Sequence, residues 1–260
     1  MPGTIRKIAA DRWDGPLVAR LRRYVELGPA DIDDLRLLME DELNVKKRRD
    51  LIVEGYEYHK LCFIKEGFAA RYKLLRNGKR QIVSVLLPGD VIGFPGSFVN
   101  HSVFSVVALS DMKLEVCALD DFVALCYRRA KFGLALSWLA AHEATMYAEH
   151  IIDIGRRTPV ERLAHFLLEI HARLAAVGRA AEREVDLPVS QEVMSDALGM
   201  SVPHLNRMLA KLRGDGLITL DGRHVTFADM RGLRQLAHFQ PPSFTRIPAP
   251  AATIGQELIA

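Results

Sequence analysis

The chain has 260 residues, of which 49% are hydrophobic and 26% are charged, so it is long enough for two domains with cores of their own. A formal net charge of +3 permits a polyanionic partner without requiring one. Cys62, Cys117 and Cys126 are odd in number and lack CxxC spacing, which argues against a disulfide framework and a zinc site. No apolar run reaches the roughly 20 residues of a membrane span, and the first residues lack a secretory apolar core. We therefore expect a cytoplasmic protein with no membrane partner.

The first half of the chain changes from a helical pattern to a strand pattern. Residues 16 to 42 are helical in period, with a break at Pro29. From 45 to 119, short apolar runs such as LCFI, QIVSVLL and KLEVCAL alternate with turns that contain glycine. This alternation is typical of a compact antiparallel β-roll or barrel.

A long apolar helical pattern follows at residues 120 to 154, and it is more apolar than a helix exposed to water should be. One near-heptad seam predicts a dimer contact through the candidate dimerisation residues Phe132, Leu136, Leu139 and Met146. The later seam positions are polar and weaken this interpretation, so a core helix within one subunit is the alternative. The segment GRRTP at 155–159 then predicts a hinge, with Thr158 capping the next helix and Pro159 at its first position.

The most specific pattern is SQEVMSDALGMSVPHLNRMLAKLRGDGLITLDGRHVTF, residues 190 to 227. Two short amphipathic helices flank a turn at Gly199, and Ser190 and Ser201 stand where helix N-caps are needed. Asp221-Gly222 between two short apolar runs predicts a two-residue type I′ hairpin. Together these signals predict a winged helix-turn-helix, which reads duplex DNA. The alternative is a helical hairpin whose small sheet serves only for packing.

The second helix of this pattern has a polar, cationic face. Its apolar stripe is expected to pack inward and consists of Leu205, Met208, Leu209 and Leu212. The side chains turned outward are His204, Asn206, Arg207, Lys211 and Arg213. Such a face suits the major groove. Pro203 is tolerated because it falls in the first helical turn, and Arg223 is expected beside the wing tip, near a backbone phosphate.

With these elements in order, the chain resembles the Crp/Fnr family of bacterial transcription regulators over residues 30 to 238. The resemblance rests on PGDVIGF at 88–94, on GRRTPVERLAHFLLEI at 155–170, and on the helix at 201–213 with its following GLI. It implies an α+β fold: an antiparallel β-roll of the jelly-roll, cyclic-nucleotide-binding type with flanking helices, a long dimerisation helix, and a C-terminal winged helix-turn-helix. The implied domains are a sensor at 1–127, a dimerisation helix at 128–155, a DNA-binding domain at 156–238 and a flexible tail at 239–260.

The resemblance implies a one-component regulator that binds a palindromic promoter site as a homodimer, with double-stranded DNA and RNA polymerase as partners. The expected DNA-binding residues are Ser190, Gln191, Ser201, Val202, Pro203, His204, Asn206, Arg207, Lys211, Arg213 and Arg223. The family's base-reading positions fall on Val202, Pro203, Asn206 and Arg207. Many members carry a glutamate where Pro203 stands, and proline cannot accept from a base amino group, so the target sequence should differ. We expect Asn206 and Arg207 to carry most base discrimination.

The sequence leaves open which signal the roll detects. Cyclic-nucleotide-binding relatives hold the phosphate with a glutamate and an arginine, and the corresponding stretch GFPGSFVNHSVFSVVAL has neither, so gating by cyclic AMP is not expected. An iron-sulfur cluster needs four thiolates, and the chain has three cysteines. A regulator without a small ligand, an unrecognised apolar effector, haem ligation and thiol oxidation are the remaining alternatives, and we assign no cofactor. The candidates for haem are His59, Cys62, His101 and Pro2, and those for oxidation are Cys62 and Cys117.

Two other classes of function are rivals. A cupin-like metal-dependent enzyme clusters histidines and a carboxylate on neighbouring strands, whereas His59 and His101 stand alone among apolar residues. The sequence also lacks GxSxG, HExxH and a phosphate-binding loop. A protein-interaction module that docks through the long helix is the second rival. We expect a DNA-binding regulator and not an enzyme.

Overall fold

The computed structural model describes residues 15–241 except 40, 95, 97–100 and 188. Two helices precede the roll, α1 (Pro16–Leu21) and α2 (Pro29–Leu38). Each begins with proline, whose missing N–H costs no intrahelical bond in the first turn, and the break predicted at Pro29 is confirmed. Pro2 and residues 242–260 of the tail predicted at 239–260 lie outside the described residues, whereas Phe239 at the start of that tail is buried in the domain core.

Within the described part of the chain, eight strands form the β-roll that the alternating runs and turns predicted. They are β1 (Asp41–Val45), β2 (Asp50–Ile52), β3 (Lys60–Glu66), β4 (Ala69–Leu74), β5 (Arg80–Leu86), β6 (Val91–Ile92), β7 (Ser105–Ala108) and β8 (Met112–Ala118). They make two four-stranded antiparallel sheets, in the orders β1-β8-β3-β6 and β2-β7-β4-β5. A buried cluster that includes Ile64, Leu86 and Leu114 joins the two sheets into one core.

Two helices follow the roll, α3 (Leu119–Arg128) and α4 (Ala130–Gly155), with a break at Arg129 inside the region predicted as helical. The dimerisation seam predicted on α4 needs correction. Phe132, Leu139 and Met146 are buried inside their own chain and Leu136 is half-buried. Phe132 and Leu139 belong to a cluster with α1, α2 and the roll, because the most apolar stripe of a helix is the one that its own domain covers. This face of α4 is a core face within one subunit.

The C-terminal half contains α5 (Pro159–Ala175), β9 (Glu184–Asp186), α6 (Gln191–Leu198), α7 (Val202–Gly214), β10 (Thr219–Asp221), β11 (His224–Thr226) and α8 (Met230–Leu236). The three strands form an antiparallel sheet in the order β10-β11-β9. The sequence did not predict β9 and α8, because elements this short show no clear period. At the predicted start of α5, the Thr158 N–H donates to Glu161 Oε2 at 2.8 Å and so satisfies a group beside the helix end.

The roll and the DNA-binding half are packed together. Val85 and Leu87 of the roll lie in one buried cluster with Leu167 of α5. At the edge of this contact, Arg80 of β5 donates through Nε and Nη2 to Asp196 Oδ2 of α6, at 2.8 and 2.6 Å. Asp196 is therefore half-buried and paired with the sensor half.

Candidate nucleic-acid interface

Helices α6 and α7 have the caps and the turn that the sequence predicted. Ser190 Oγ accepts from the Val193 N–H, and Ser201 Oγ accepts from the His204 N–H, each at 3.4 Å. Gly199 ends α6 with a φ of +61°, the left-handed conformation in which glycine lacks the steric penalty of other residues. Local chemistry therefore fixes both ends of the turn between the two helices.

Helix α7 is anchored on one side and exposed on the other. Leu205, Leu209 and Leu212 are buried in the domain core and Met208 is half-buried, so the predicted inward stripe is confirmed with one residue at its edge. Of the predicted DNA-binding residues on α7 and its cap, the exposed ones are Ser201, Pro203, Asn206, Arg207, Lys211 and Arg213, and the half-buried ones are Val202 and His204. Ser190 and Gln191 are exposed at the start of α6.

The exposed side of this unit carries cations. Lys211 pairs with Asp215 one turn later at 3.3 Å. Arg207, Arg213 and Arg223 form no ion pair with any other residue that the structure describes. Guanidinium groups without a protein partner can donate to phosphates or to the O6 and N7 atoms of guanine.

The turn of the wing hairpin is of a different type from the one predicted. Asp221 pairs with His224 across the hairpin, so the two turn residues are Gly222 and Arg223. Only Gly222 has a positive φ, +58°, and glycine at the first turn position is typical of type II′ and not of the predicted type I′. The register follows from the fully buried Val225, because a shift by one residue would turn that side chain to the other face of the sheet. Arg223 is exposed at the tip, where the sequence placed it.

One positioning residue was missed by the sequence interpretation. Arg162 of α5 donates through Nη1 to the Leu198 carbonyl at 2.5 Å and through Nη2 to the Arg157 carbonyl at 3.4 Å. The first bond satisfies a carbonyl at the end of α6 that has no helical partner. It joins residues that are 36 positions apart, and nothing in the local sequence pattern indicates it.

The residues considered for haem or thiol chemistry lie in different surroundings. Cys62 is buried, its thiol is 3.0 Å from the Tyr58 hydroxyl, and burial raises the pKa of Cys62 to about 11, so the group is a thiol at neutral pH. Cys117 is also buried, whereas His59 and His101 are exposed. Within the described ranges, no three His, Cys, Asp or Glu side chains are grouped so that they could hold a metal ion. No helix in those ranges is long and apolar enough to cross a membrane.

A roll of two antiparallel sheets, a helix of 26 residues and a capped helix-turn-helix with a wing define a DNA-binding protein with an N-terminal sensor-type domain. Comparison with known families agrees, since residues 42–129 match the cyclic nucleotide-binding domain and residues 161–236 match the Crp-like helix-turn-helix domain.

Similar proteins extend the match over most of the chain. The nitrogen fixation regulation protein FixK of Rhizobium meliloti is 30% identical over 213 residues, which cover 82% of this chain and 92% of that protein. The transcriptional activatory protein AadR of Rhodopseudomonas palustris is 28% identical, with coverage of 82% and 87%. The structure of FixK2 from Bradyrhizobium japonicum superposes with a TM-score of 0.69 at 26% identity, covering 75% of this chain and 96% of that one.

The chain therefore belongs to the Crp/Fnr family of transcription regulators, and its activity is that of a DNA-binding transcription regulator. The resemblance identified from the sequence motifs is confirmed.

Proposed function

We propose that the chain binds a twofold-symmetric operator as a homodimer, places α7 of each copy in the major groove, contacts RNA polymerase at the promoter and is not gated by cyclic AMP. The outward face of α7 carries this proposal, because Asn206 and Arg207 are exposed while Leu205 and Leu209 anchor the helix from behind. The proposed domain limits remain 1–127, 128–155, 156–238 and 239–260.

Base discrimination is assigned to Asn206 and Arg207, while His204, Lys211, Arg213 and Arg223 hold phosphates. The operator is first selected from random duplexes, and affinities are then measured by fluorescence anisotropy at several salt concentrations. Arg207→Ala is expected to cost about 1–3 kcal/mol on the selected operator and to relax preference at one base pair. Arg128→Ala, which removes an exposed arginine from α3, is the matched control. An equal loss on all sequences would reassign Arg207 to a phosphate, and unchanged binding would remove it from the interface.

The dimer contact is assigned to the side of α4 that the chain itself leaves exposed. This side carries Leu134, Ala141, Ala144, Ala148 and Ile151. Their positions repeat at intervals of three, four and seven, the period of a two-helix seam, and small side chains allow the two helices to approach closely. Such a dimer would set two copies of α7 roughly 34 Å apart, one turn of DNA.

Sedimentation equilibrium tests the seam directly. We expect the parent protein to be dimeric at micromolar concentration, and Ala144→Glu to weaken the dimer at least about tenfold because two like charges would meet across the axis. Ala124→Glu, on the exposed side of α3, is the control for added charge. A parent protein that stays monomeric with and without operator DNA would contradict the proposal.

Independence from cyclic AMP is supported by the space between the roll and α4. Beside Phe94, in the stretch that lacks the glutamate and arginine of nucleotide-binding relatives, the cavity is about 20 Å³. Buried Arg71 spans the gap there, with Nη1 2.5 Å from Glu143 Oε1 and a hydrogen bond to the Tyr147 hydroxyl. Ligand pockets are commonly about 300 Å³ or larger. Calorimetry with cyclic AMP should show no saturable heat, and operator affinity should not change; tight binding would overturn this part of the proposal.

Transcription from an operator-bearing promoter with purified polymerase tests the polymerase contact.

A further inference from the structure

A second cavity lies between the sensor half and the DNA-binding half; it adjoins the gap at Phe94 and Glu143 and shares Arg20, Asp90 and Arg173 with it. Its walls come from α1 and α4 on one side, and from α5 and residues 239–241 on the other. A molecule held there would touch both halves of the chain. Helix α5 in turn holds the helix-turn-helix, through Arg162 and through the shared core.

The size of the cavity restricts what it could hold. Its volume is about 140 Å³. A cavity of roughly 150 Å³ is known to accommodate a benzene ring. A nucleotide is much larger than a single ring, so a ligand the size of one aromatic ring with a small substituent is the class that fits.

Aromatic side chains form one wall. Tyr24 stacks on Trp138 with an angle of 16° between the planes, and Trp138 stacks on His142 with ring centres 5.1 Å apart. Met146 and Val177 add apolar surface to the lining. Flat aromatic groups pack favourably against such a wall in offset or edge-to-face geometry.

The charged groups of the cavity favour an anion. Asp90 is shared by two guanidinium groups, since it pairs with Arg20 and lies 2.5 Å from Arg173 Nη2. The exposed Arg23, which also lines the cavity, forms no ion pair with any described residue. The two acidic residues besides Asp90 have partners of their own, Glu169 with His150 and Arg173, and Glu149 with Arg157.

Two buried groups in the cavity have lowered pKa values, and burial is the largest cause for each. Burial, with a further contribution from Arg173, lowers the pKa of Arg20 to about 9. Burial, followed by Arg20 and Arg173, lowers the pKa of His142 to about 3, so the imidazole in the aromatic wall is neutral at physiological pH.

We propose that the cavity between α1, α4 and α5 is a binding site for a small aromatic carboxylate, with the carboxylate held by Arg20, Arg23 and Arg173 and the ring packed against Trp138 and His142. This assignment does not depend on the proposed operator contacts. Its consequence for DNA binding follows from the position of the site between the two halves.

Benzoate is the probe, and benzamide, which has the same shape without the charge, is the comparison ligand. Binding to the full chain is measured by calorimetry and by the fluorescence of Trp138, in a Trp13→Phe background that leaves one tryptophan of the two in the sequence. We expect saturable benzoate binding with a Kd of about 1 mM or tighter, and binding of benzamide at least about tenfold weaker.

Two variants locate the site without removing any described ion pair. Ala176→Leu fills the cavity from the end of α5 and should abolish binding, whereas Ala175→Leu, at the neighbouring exposed position outside the lining, should leave it unchanged. Arg23→Gln should weaken benzoate at least about fivefold and leave benzamide unaffected, with Arg128→Gln as the charge control.

Absence of saturable benzoate binding up to about 10 mM would overturn the proposal, as would equal affinity for benzamide or undiminished binding by Ala176→Leu. Operator affinity is measured on the same samples without benzoate. Failure to bind DNA would therefore count against the proposed function and not against this site.

Discussion

Replacing Asp90 should show how strongly one buried carboxylate ties three parts of the chain together. Asp90 belongs to the PGD turn of the roll and accepts from the Leu87 N–H at 2.7 Å, which closes that turn. It also pairs with Arg20 of α1 and with Arg173 of α5. The exposed fractions of the three side chains are 9%, 12% and 10%, so water can do little to replace a lost partner.

The size of the expected loss in stability follows from the partners that each arginine retains. In Asp90→Ala, Arg173 retains Glu169 at 2.9 Å, whereas Arg20 retains no carboxylate among the described residues and keeps the Gly89 carbonyl at 3.3 Å and its place over the Trp138 ring. Removing one partner of a buried ion pair costs about 3–5 kcal/mol. We expect Asp90→Ala to lower the free energy of unfolding by that amount. Asp90→Asn keeps an acceptor for the Leu87 N–H and should cost less, about 1.5–3 kcal/mol.

The assay is urea denaturation at a fixed protein concentration, followed by circular dichroism and by tryptophan fluorescence. Asp33→Ala, which removes an exposed carboxylate from α2, should change stability by less than about 0.5 kcal/mol. A cost below about 1 kcal/mol for Asp90→Ala would refute the reasoning, because buried arginines would then tolerate the loss of their carboxylate. Equal costs for the alanine and asparagine variants would show that the turn contributes nothing separate.

Three further predictions address the contact between α4 and α5, the turn between α6 and α7, and the edge of the contact between the roll and the DNA-binding half. His150 Nε2 lies 2.7 Å from Glu169 Oε2, and although burial alone would lower the pKa of His150, the Glu169 charge outweighs it and raises that pKa. The stabilisation from this pair is therefore complete below about pH 6.5 and is lost as pH rises through the raised pKa of His150. The difference in unfolding free energy between the parent and His150→Gln, measured by urea titration, should shrink above that pH. A difference that stays constant with pH would contradict this prediction. Gly199→Ala should cost about 1–2 kcal/mol in thermal unfolding, because an added Cβ would lie at an ordinary contact distance of 3.8 Å from Arg162 Nη1 but the φ of +61° is strained for alanine, while Gly199→Asn should cost less. Arg80→Gln should cost less than about 1 kcal/mol by urea denaturation, since its pair with Asp196 is about one-third exposed; a larger loss would show that this contact holds the two halves together.

The sequence determined most of what depends on neighbours along the chain. The N-caps Ser190 and Ser201, the Gly199 turn and the apolar stripe of α7 were all predictable, because caps and helical periods act within one or two turns. The strands of the roll and the family resemblance followed from runs, turns and motifs of the same local kind. The contribution of the predicted surface residues to DNA recognition stays a prediction.

The tertiary structure decided what depends on contacts between distant residues. Helix α4 has two stripes at heptad spacing, and only packing shows that Phe132 and Leu139 face the chain's own core while Ala144 stays exposed. Likewise, the Asp90 cluster and the cavity beside Trp138 assemble residues from α1, the roll, α4 and α5. A period along one helix reports which residues share a face, and the identity of what covers that face is set by the rest of the fold.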